Sequence, residues 1–121
     1  MRRILAVDDE IELGKIFEKF LTMKGFQVTG ARSAEEALAV LDKENPDLII
    51  LDKKMPGMGG IGLLRELKNK ESKIPVIIMT GSQELSGSLD EIKEMGYDDI
   101  LIKPVDLNLL LEAVNKRLPI G

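Results

Sequence analysis

Histidine and cysteine are both absent from the 121-residue sequence, and their absence excludes several classes of function. Without cysteine the chain can form no disulfide bond, thiol nucleophile or thiolate metal site. Without histidine it can offer no imidazole ligand and no serine–histidine catalytic pair. Any metal site must therefore rely on oxygen ligands.

Aromatic residues are also scarce, with three Phe, one Tyr and no Trp, so the core must consist of Leu, Ile, Val, Met and Ala. The length suits one domain with one core, and we expect residues 1–121 to form a single domain. The net charge of −4 gives no indication of nucleic-acid binding. No apolar run approaches the roughly 20 residues of a membrane span. The apolar stretch at 4–7 is too short for a signal peptide, so we expect a cytoplasmic protein.

Short apolar runs alternate along the chain with stretches of helical periodicity. The runs are continuous and rich in β-branched residues, as expected for strands buried on both faces of a parallel sheet. They are ILAV at 4–7, DLIIL at 47–51, PVIIM at 75–79 and ILI at 100–102. A fifth run, FQVTGA at 26–31, is less apolar and contains Gly30, which favours an edge strand.

Five stretches carry apolar residues three or four positions apart, which is typical of one helix face. Ser33 and Glu36 form a capping-box pattern before the second stretch, and Asp106 suits the N-cap of the last. The fourth stretch is the weakest, because Gly87 interrupts it. The stretches cover 13–21, 34–41, 61–67, 81–96 and 107–118. Five strand–helix pairs predict a right-handed, doubly wound parallel α/β sheet.

Polar residues follow each of the four strongly apolar strands. Asp8 and Asp9 follow the first, Asp52 the third, Thr80 the fourth and Lys103 the fifth. In an open parallel sheet, ligands bind outside the carboxyl ends of the strands. The sequence therefore predicts that three carboxylates, a hydroxyl and an ammonium group meet at one edge of the sheet.

Such a cluster suits a divalent cation, because three nearby carboxylates repel one another and a single lysine cannot neutralise them. Oxygen ligands favour Mg²⁺ or a similar hard ion. A carboxylate beside Mg²⁺ can attack phosphorus and form an acyl phosphate, while the metal and a lysine neutralise charge on the phosphoryl oxygens. Taken singly, each residue has a simpler interpretation: Asp8 and Asp9 would cap a helix, and Lys103 would be a surface lysine.

Four segments at the strand ends resemble the receiver domains of response regulators in two-component signalling. They are VDDE at 7–10, DKKMPGMGG at 52–60, IIMTG at 77–81 and LIKP at 101–104, and their order and spacing match along the entire chain. The resemblance implies a flavodoxin-like fold of five β-α pairs with strand order 2-1-3-4-5. It also implies that Asp52 is the phosphoacceptor.

The resemblance implies roles for further residues at these strand ends. The Mg²⁺ ligands would be Asp8, Asp9, Asp52 and the backbone carbonyl of Lys54, and the phosphoryl contacts would be Thr80 and Lys103. A cis peptide bond is implied between Lys103 and Pro104. Many receivers carry Tyr or Phe where this chain has Ile100. Ile100 has no ring and cannot couple phosphorylation to the surface by ring rotation. Tyr97 lies three residues before this position and is not an evident substitute.

The leading hypothesis is a phosphoacceptor that takes a phosphoryl group from a sensor histidine kinase or a histidine phosphotransfer protein. Phosphorylation would switch the surface of the fourth predicted helix, the fifth strand and the fifth predicted helix, and so control a downstream effector protein. The domain would catalyse its own phosphorylation and dephosphorylation without being an enzyme with turnover. We expect a monomer or weak dimer that contacts neither nucleic acid nor a membrane directly.

Two other hypotheses remain open from the sequence. One is a phosphate-independent protein-binding module on the same fold, which Ile100 favours and the acidic cluster opposes. The other is an enzyme on the same fold. A P-loop kinase would need GxxxxGK[ST], which is absent. An aspartyl-phosphate hydrolase would carry a second Asp where this chain has Lys54.

Overall fold

The computed structural model describes residues 2–52, 59–81 and 97–118. Within these ranges, five strands form one parallel sheet in the order β2-β1-β3-β4-β5. The strands are β1 (Arg3–Val7), β2 (Gln27–Ala31), β3 (Leu48–Asp52), β4 (Val76–Gly81) and β5 (Asp99–Lys103). The described helices are α1 (Ile11–Met23), α2 (Ala34–Lys43), α3 (Gly59–Asn69) and α4 (Leu107–Arg117). The predicted doubly wound parallel sheet and its strand order are confirmed.

Two sequence predictions fall wholly or almost wholly outside the described residues. The fourth predicted helix, at 81–96, overlaps them only at Gly81, which ends β4. Lys54, whose carbonyl was predicted to bind Mg²⁺, also lies outside them. The predicted cis bond between Lys103 and Pro104 is present. No helix in the described part of the chain is long and apolar enough to cross a membrane.

Burial along the strands follows their position in the sheet. All five residues of β3, the middle strand, are buried, because helices cover both of its faces. The two edge strands, β2 and β5, are largely half-buried or exposed. The prediction that the run at 26–31 forms an edge strand is therefore confirmed.

The core consists of two apolar clusters, one on each face of the sheet. Successive strand residues point to opposite faces, so Ile49 and Leu51 join the cluster under α2 and α3. Leu48 and Ile50 join the cluster under α1 and α4. The middle strand thus supplies apolar side chains to both faces, and its polar last residue, Asp52, lies at the carboxyl edge of the sheet.

Side chains cap two of the helices as their sequences predict. Ser33 Oγ accepts a hydrogen bond from the Glu36 backbone N–H at 3.0 Å at the start of α2. Asp106 Oδ1 accepts from the Asn108 and Leu109 N–H groups at 2.7 and 3.3 Å at the start of α4. Helix α1 differs, because its N-cap residue is Glu10 and that side chain makes no capping hydrogen bond.

Candidate functional site

The strand register brings the predicted site residues to one edge of the sheet. Asp52 is the last residue of β3 and lies in register with Met79, directly before Thr80 on β4. Gly81 on β4 lies in register with Lys103, the last residue of β5. Asp8 follows directly after β1, the other neighbour of β3. The residues that end or follow β1, β3, β4 and β5 therefore lie along one edge of the sheet.

The centre of the site is an ion pair between Asp52 and Lys103. The Lys103 ammonium donates a hydrogen bond to Asp52 Oδ2 at 2.9 Å. The Asp52 side chain is 1% exposed, and that of Lys103 is 23% exposed. Burial acts to lower the pKa of Lys103, but the hydrogen bond to Asp52 and the surrounding negative charges outweigh it, and this pKa is raised. Lys103 therefore stays charged and compensates the buried carboxylate.

Asp8 is a second buried carboxylate, and one of its two oxygens accepts no hydrogen bond from the described residues. Its Oδ1 accepts a hydrogen bond from the Glu10 backbone N–H at 2.9 Å. Its Oδ2 is buried and has no hydrogen-bond partner among the described residues. Burial, supported by the nearby charge of Asp52, raises the pKa of Asp8 from 3.8 to about 6, although the Glu10 N–H and the Lys103 charge oppose this.

Asp8, Glu10 and Asp52 each place one carboxylate oxygen so that the three atoms lie within 4.8 Å of one another. Clustered carboxylate oxygens are the donors that Mg²⁺ prefers. The unpartnered Asp8 Oδ2 is an acceptor that a cation would satisfy, so the residues present fit this ion. Asp9 is exposed and does not belong to this group of described residues, and its role as a ligand stays a prediction.

Glu10 is the member of this group that was not singled out from the sequence. It is the last residue of the VDDE segment, directly after the two predicted ligands Asp8 and Asp9. Its Oε1 lies 3.8 Å from Lys103 Nζ, so the same ammonium interacts with Asp52 and with Glu10. The signal in the sequence was a third consecutive acid where a small polar N-cap residue is more common.

The other predicted residues around the site occupy β4 and β5. Thr80 is fully buried, and its Oγ1 donates a hydrogen bond to the Gly81 carbonyl at 3.3 Å. Its predicted contact with a phosphoryl group stays a prediction. Ile100 and Tyr97 both pack against the core cluster under α2 and α3. Ile100, at the position where an aromatic ring is common in receivers, is thus part of the apolar packing.

Comparison with known proteins shows the family of this chain. The sequence model of the response regulator receiver domain matches residues 4–115. The chain therefore belongs to the response regulator receiver domain family, whose members act in two-component systems.

Individual relatives differ in how much of their own length the chain matches. It is 38% identical over 118 residues to "Sporulation initiation phosphotransferase F" of Bacillus subtilis, and this alignment covers 98% of this chain and 94% of that relative. It is 41% identical over 103 residues to "Probable transcriptional regulator ycf27" of Cyanophora paradoxa, and this alignment covers 85% of this chain and 42% of that relative. The chain thus spans about half the length of the several ycf27 relatives that it matches.

Solved structures agree with this assignment. The signal receiver domain of a signal transduction histidine kinase from Syntrophus aciditrophicus superimposes with a TM-score of 0.90 at 32% identity, over 98% of this chain and 90% of that one. Response regulator protein TrrA from Thermotoga maritima, solved in complex with Mg²⁺ and BeF, superimposes with a TM-score of 0.84 at 31% identity, over 97% of this chain and 99% of that one.

Proposed function

We propose that this receiver domain accepts a phosphoryl group on Asp52 from a sensor histidine kinase or a histidine phosphotransfer protein, with Mg²⁺ bound at the same strand ends. The observation that carries the proposal is the buried Asp52–Lys103 ion pair beside the unpartnered oxygen of Asp8. The name of the Bacillus subtilis relative, a phosphotransferase, and the Mg²⁺–BeF complex of TrrA support it by analogy.

In the proposed transfer, a carboxylate oxygen of Asp52 attacks the phosphorus atom of the donor. The new bond joins that oxygen to phosphorus, the P–N bond to the donor imidazole breaks, and its electron pair returns to the ring nitrogen. The Lys103 ammonium, which donates a hydrogen bond to the Asp52 carboxylate, would neutralise charge on the phosphoryl oxygens. Thr80, at the end of the neighbouring strand, would donate a hydrogen bond to the same group.

The metal site in this proposal uses the oxygen donors of the same strand ends. Asp8 and Asp52 are the buried ligands, Glu10 lies in the same group, and Asp9 and the Lys54 carbonyl are the further ligands predicted from the sequence. When bound, Mg²⁺ supplies positive charge at the phosphoryl oxygens. Asp8 itself would hold the cation, whose positive charge would offset the negative charge of Asp8 beside the incoming phosphoryl group.

The domain thus acts as a phosphorylated signal carrier in the cytoplasm, as a monomer or weak dimer. It promotes its own phosphorylation and hydrolysis, and its phosphorylated form controls a downstream effector protein. The output surface would include β5 and α4, where Ile102 and Leu109 are exposed apolar side chains. We also propose that residues 1–121 form one receiver domain, since the family match covers 4–115 and all described elements pack on one sheet.

The proposal is tested by phosphorylation with acetyl phosphate and Mg²⁺, followed by intact-mass measurement. The unchanged protein should gain one phosphoryl group that base and hydroxylamine remove, and Asp52→Asn should gain none. Asp42→Asn, which alters an exposed carboxylate on α2, is the matched control and should be labelled normally. Equal labelling of Asp52→Asn and the parent would refute the assignment, and no labelling of any protein would favour the phosphate-independent binding module.

A further inference from the structure

Glu10 occupies a helix position that its residue type does not favour. It is the N-cap of α1, where Ser, Thr, Asp or Asn usually accepts a hydrogen bond from the first turn, yet the Glu10 side chain makes no such bond. Its carboxylate instead forms the 3.8 Å ion pair with Lys103. The side chain is therefore directed to the phosphoryl site at the expense of helix capping.

The backbone holds Glu10 at the entrance of this site. Its backbone N–H donates a hydrogen bond to Oδ1 of the buried Asp8, which fixes the position of the Glu10 backbone next to the site. The Glu10 side chain is 61% exposed, whereas that of Asp52 is 1% exposed, and carboxylate oxygens of the two lie within 4.8 Å. A donor that approaches Asp52 from solvent therefore meets the negative charge of Glu10.

We propose that Glu10 is a specificity-determining residue of phosphoryl transfer, whose carboxylate shares Lys103 with Asp52 and disfavours donors that carry more negative charge. This inference rests on the proposed function. The Glu10 charge offsets part of the positive charge that Lys103 presents to an incoming phosphoryl group. At a separation of about 5 Å in a dielectric close to that of water, one unit charge changes the rate of encounter by about fourfold for each unit of donor charge.

Two small phosphodonors that differ in charge test the inference. Near neutral pH acetyl phosphate is mainly a dianion and phosphoramidate mainly a monoanion. Glu10→Gln should raise the rate with acetyl phosphate relative to phosphoramidate by about fourfold. Added salt should reduce this gain, because the side chain is exposed to solvent. Glu12→Gln removes the same charge from an exposed position in the same helical turn and should leave the ratio of the two rates unchanged.

A second variant keeps the test independent of folding. Glu10→Ser removes the charge and introduces a favoured N-cap residue, so it should fold at least as well and show the same change of ratio. Glu10→Asp keeps the charge and should stay near the parent ratio. Normal labelling with an unchanged ratio in both Glu10→Gln and Glu10→Ser would overturn this inference alone. Failure of the unchanged protein to be labelled by either donor would overturn the proposed function together with it.

Discussion

Replacement of Asp8 by Asn should stabilise the metal-free protein at neutral pH. Asp8 is buried, its Oδ2 has no hydrogen-bond partner among the described residues, and the charge of Asp52 lies nearby. An asparagine Oδ1 can still accept the hydrogen bond from the Glu10 N–H. The amide is uncharged, so its burial is less costly and it is not repelled by the charge of Asp52. The substitution therefore removes the cost of the buried charge and keeps the hydrogen bond.

The size and sign of the effect follow from the pKa of Asp8. Folding raises this pKa from 3.8 to about 6, so the folded state holds the proton more tightly than the unfolded state. The resulting stabilisation is fully present below pH 3.8 and is lost as the pH rises through about 6. The full difference corresponds to about 3 kcal/mol of unfolding free energy, which Asp8→Asn should recover near pH 7.5.

Urea unfolding followed by circular dichroism, with a chelator present, measures this effect. The difference between Asp8→Asn and the parent should approach about 3 kcal/mol near pH 7.5 and fall to a small value near pH 4. Asp42→Asn, an exposed control, should stay within about 0.5 kcal/mol of the parent at both values. A gain that is equal at the two pH values, or no gain near pH 7.5, would refute the argument that burial of a charged Asp8 is costly.

Three further outcomes follow from the same structure. Mg²⁺ at roughly 100 times its dissociation constant should stabilise the unchanged protein by about 2.7 kcal/mol in thermal melts, and this gain should be largely lost in Asp8→Asn. Lys103→Met should destabilise the metal-free protein by about 3 kcal/mol in urea, because it removes the ammonium group that pairs with the buried Asp52 carboxylate. A loss of stability below about 1 kcal/mol would contradict the importance of this ion pair. Ser33→Ala should cost about 1 kcal/mol by the same measurement, and Ser33→Asp, which can still cap α2, should cost much less.

The sequence by itself was sufficient for the fold and for the edge of the sheet at which the candidate site lies. Runs such as DLIIL at 47–51 predict a strand buried on both faces, because helices on both sides of a parallel sheet bury every residue of its central strands. Local hydrogen bonding explains why Ser33 and Asp106 could be recognised as caps. The rule that parallel strands present their carboxyl ends to one edge was enough to bring Asp8, Asp52 and Lys103 together.

Only the tertiary structure decided how these charges are divided among partners. Lys103 could have been a surface lysine, and it pairs with Asp52, 51 positions away, because the β3–β4–β5 register places the two strand ends side by side. Of three consecutive acids, Asp8 is buried, Asp9 is exposed and Glu10 interacts with Lys103. The sequence pattern treats these acids alike. Their burial and their distances to other charges depend on where α1 begins above the sheet, and this depends on the packing of the whole domain.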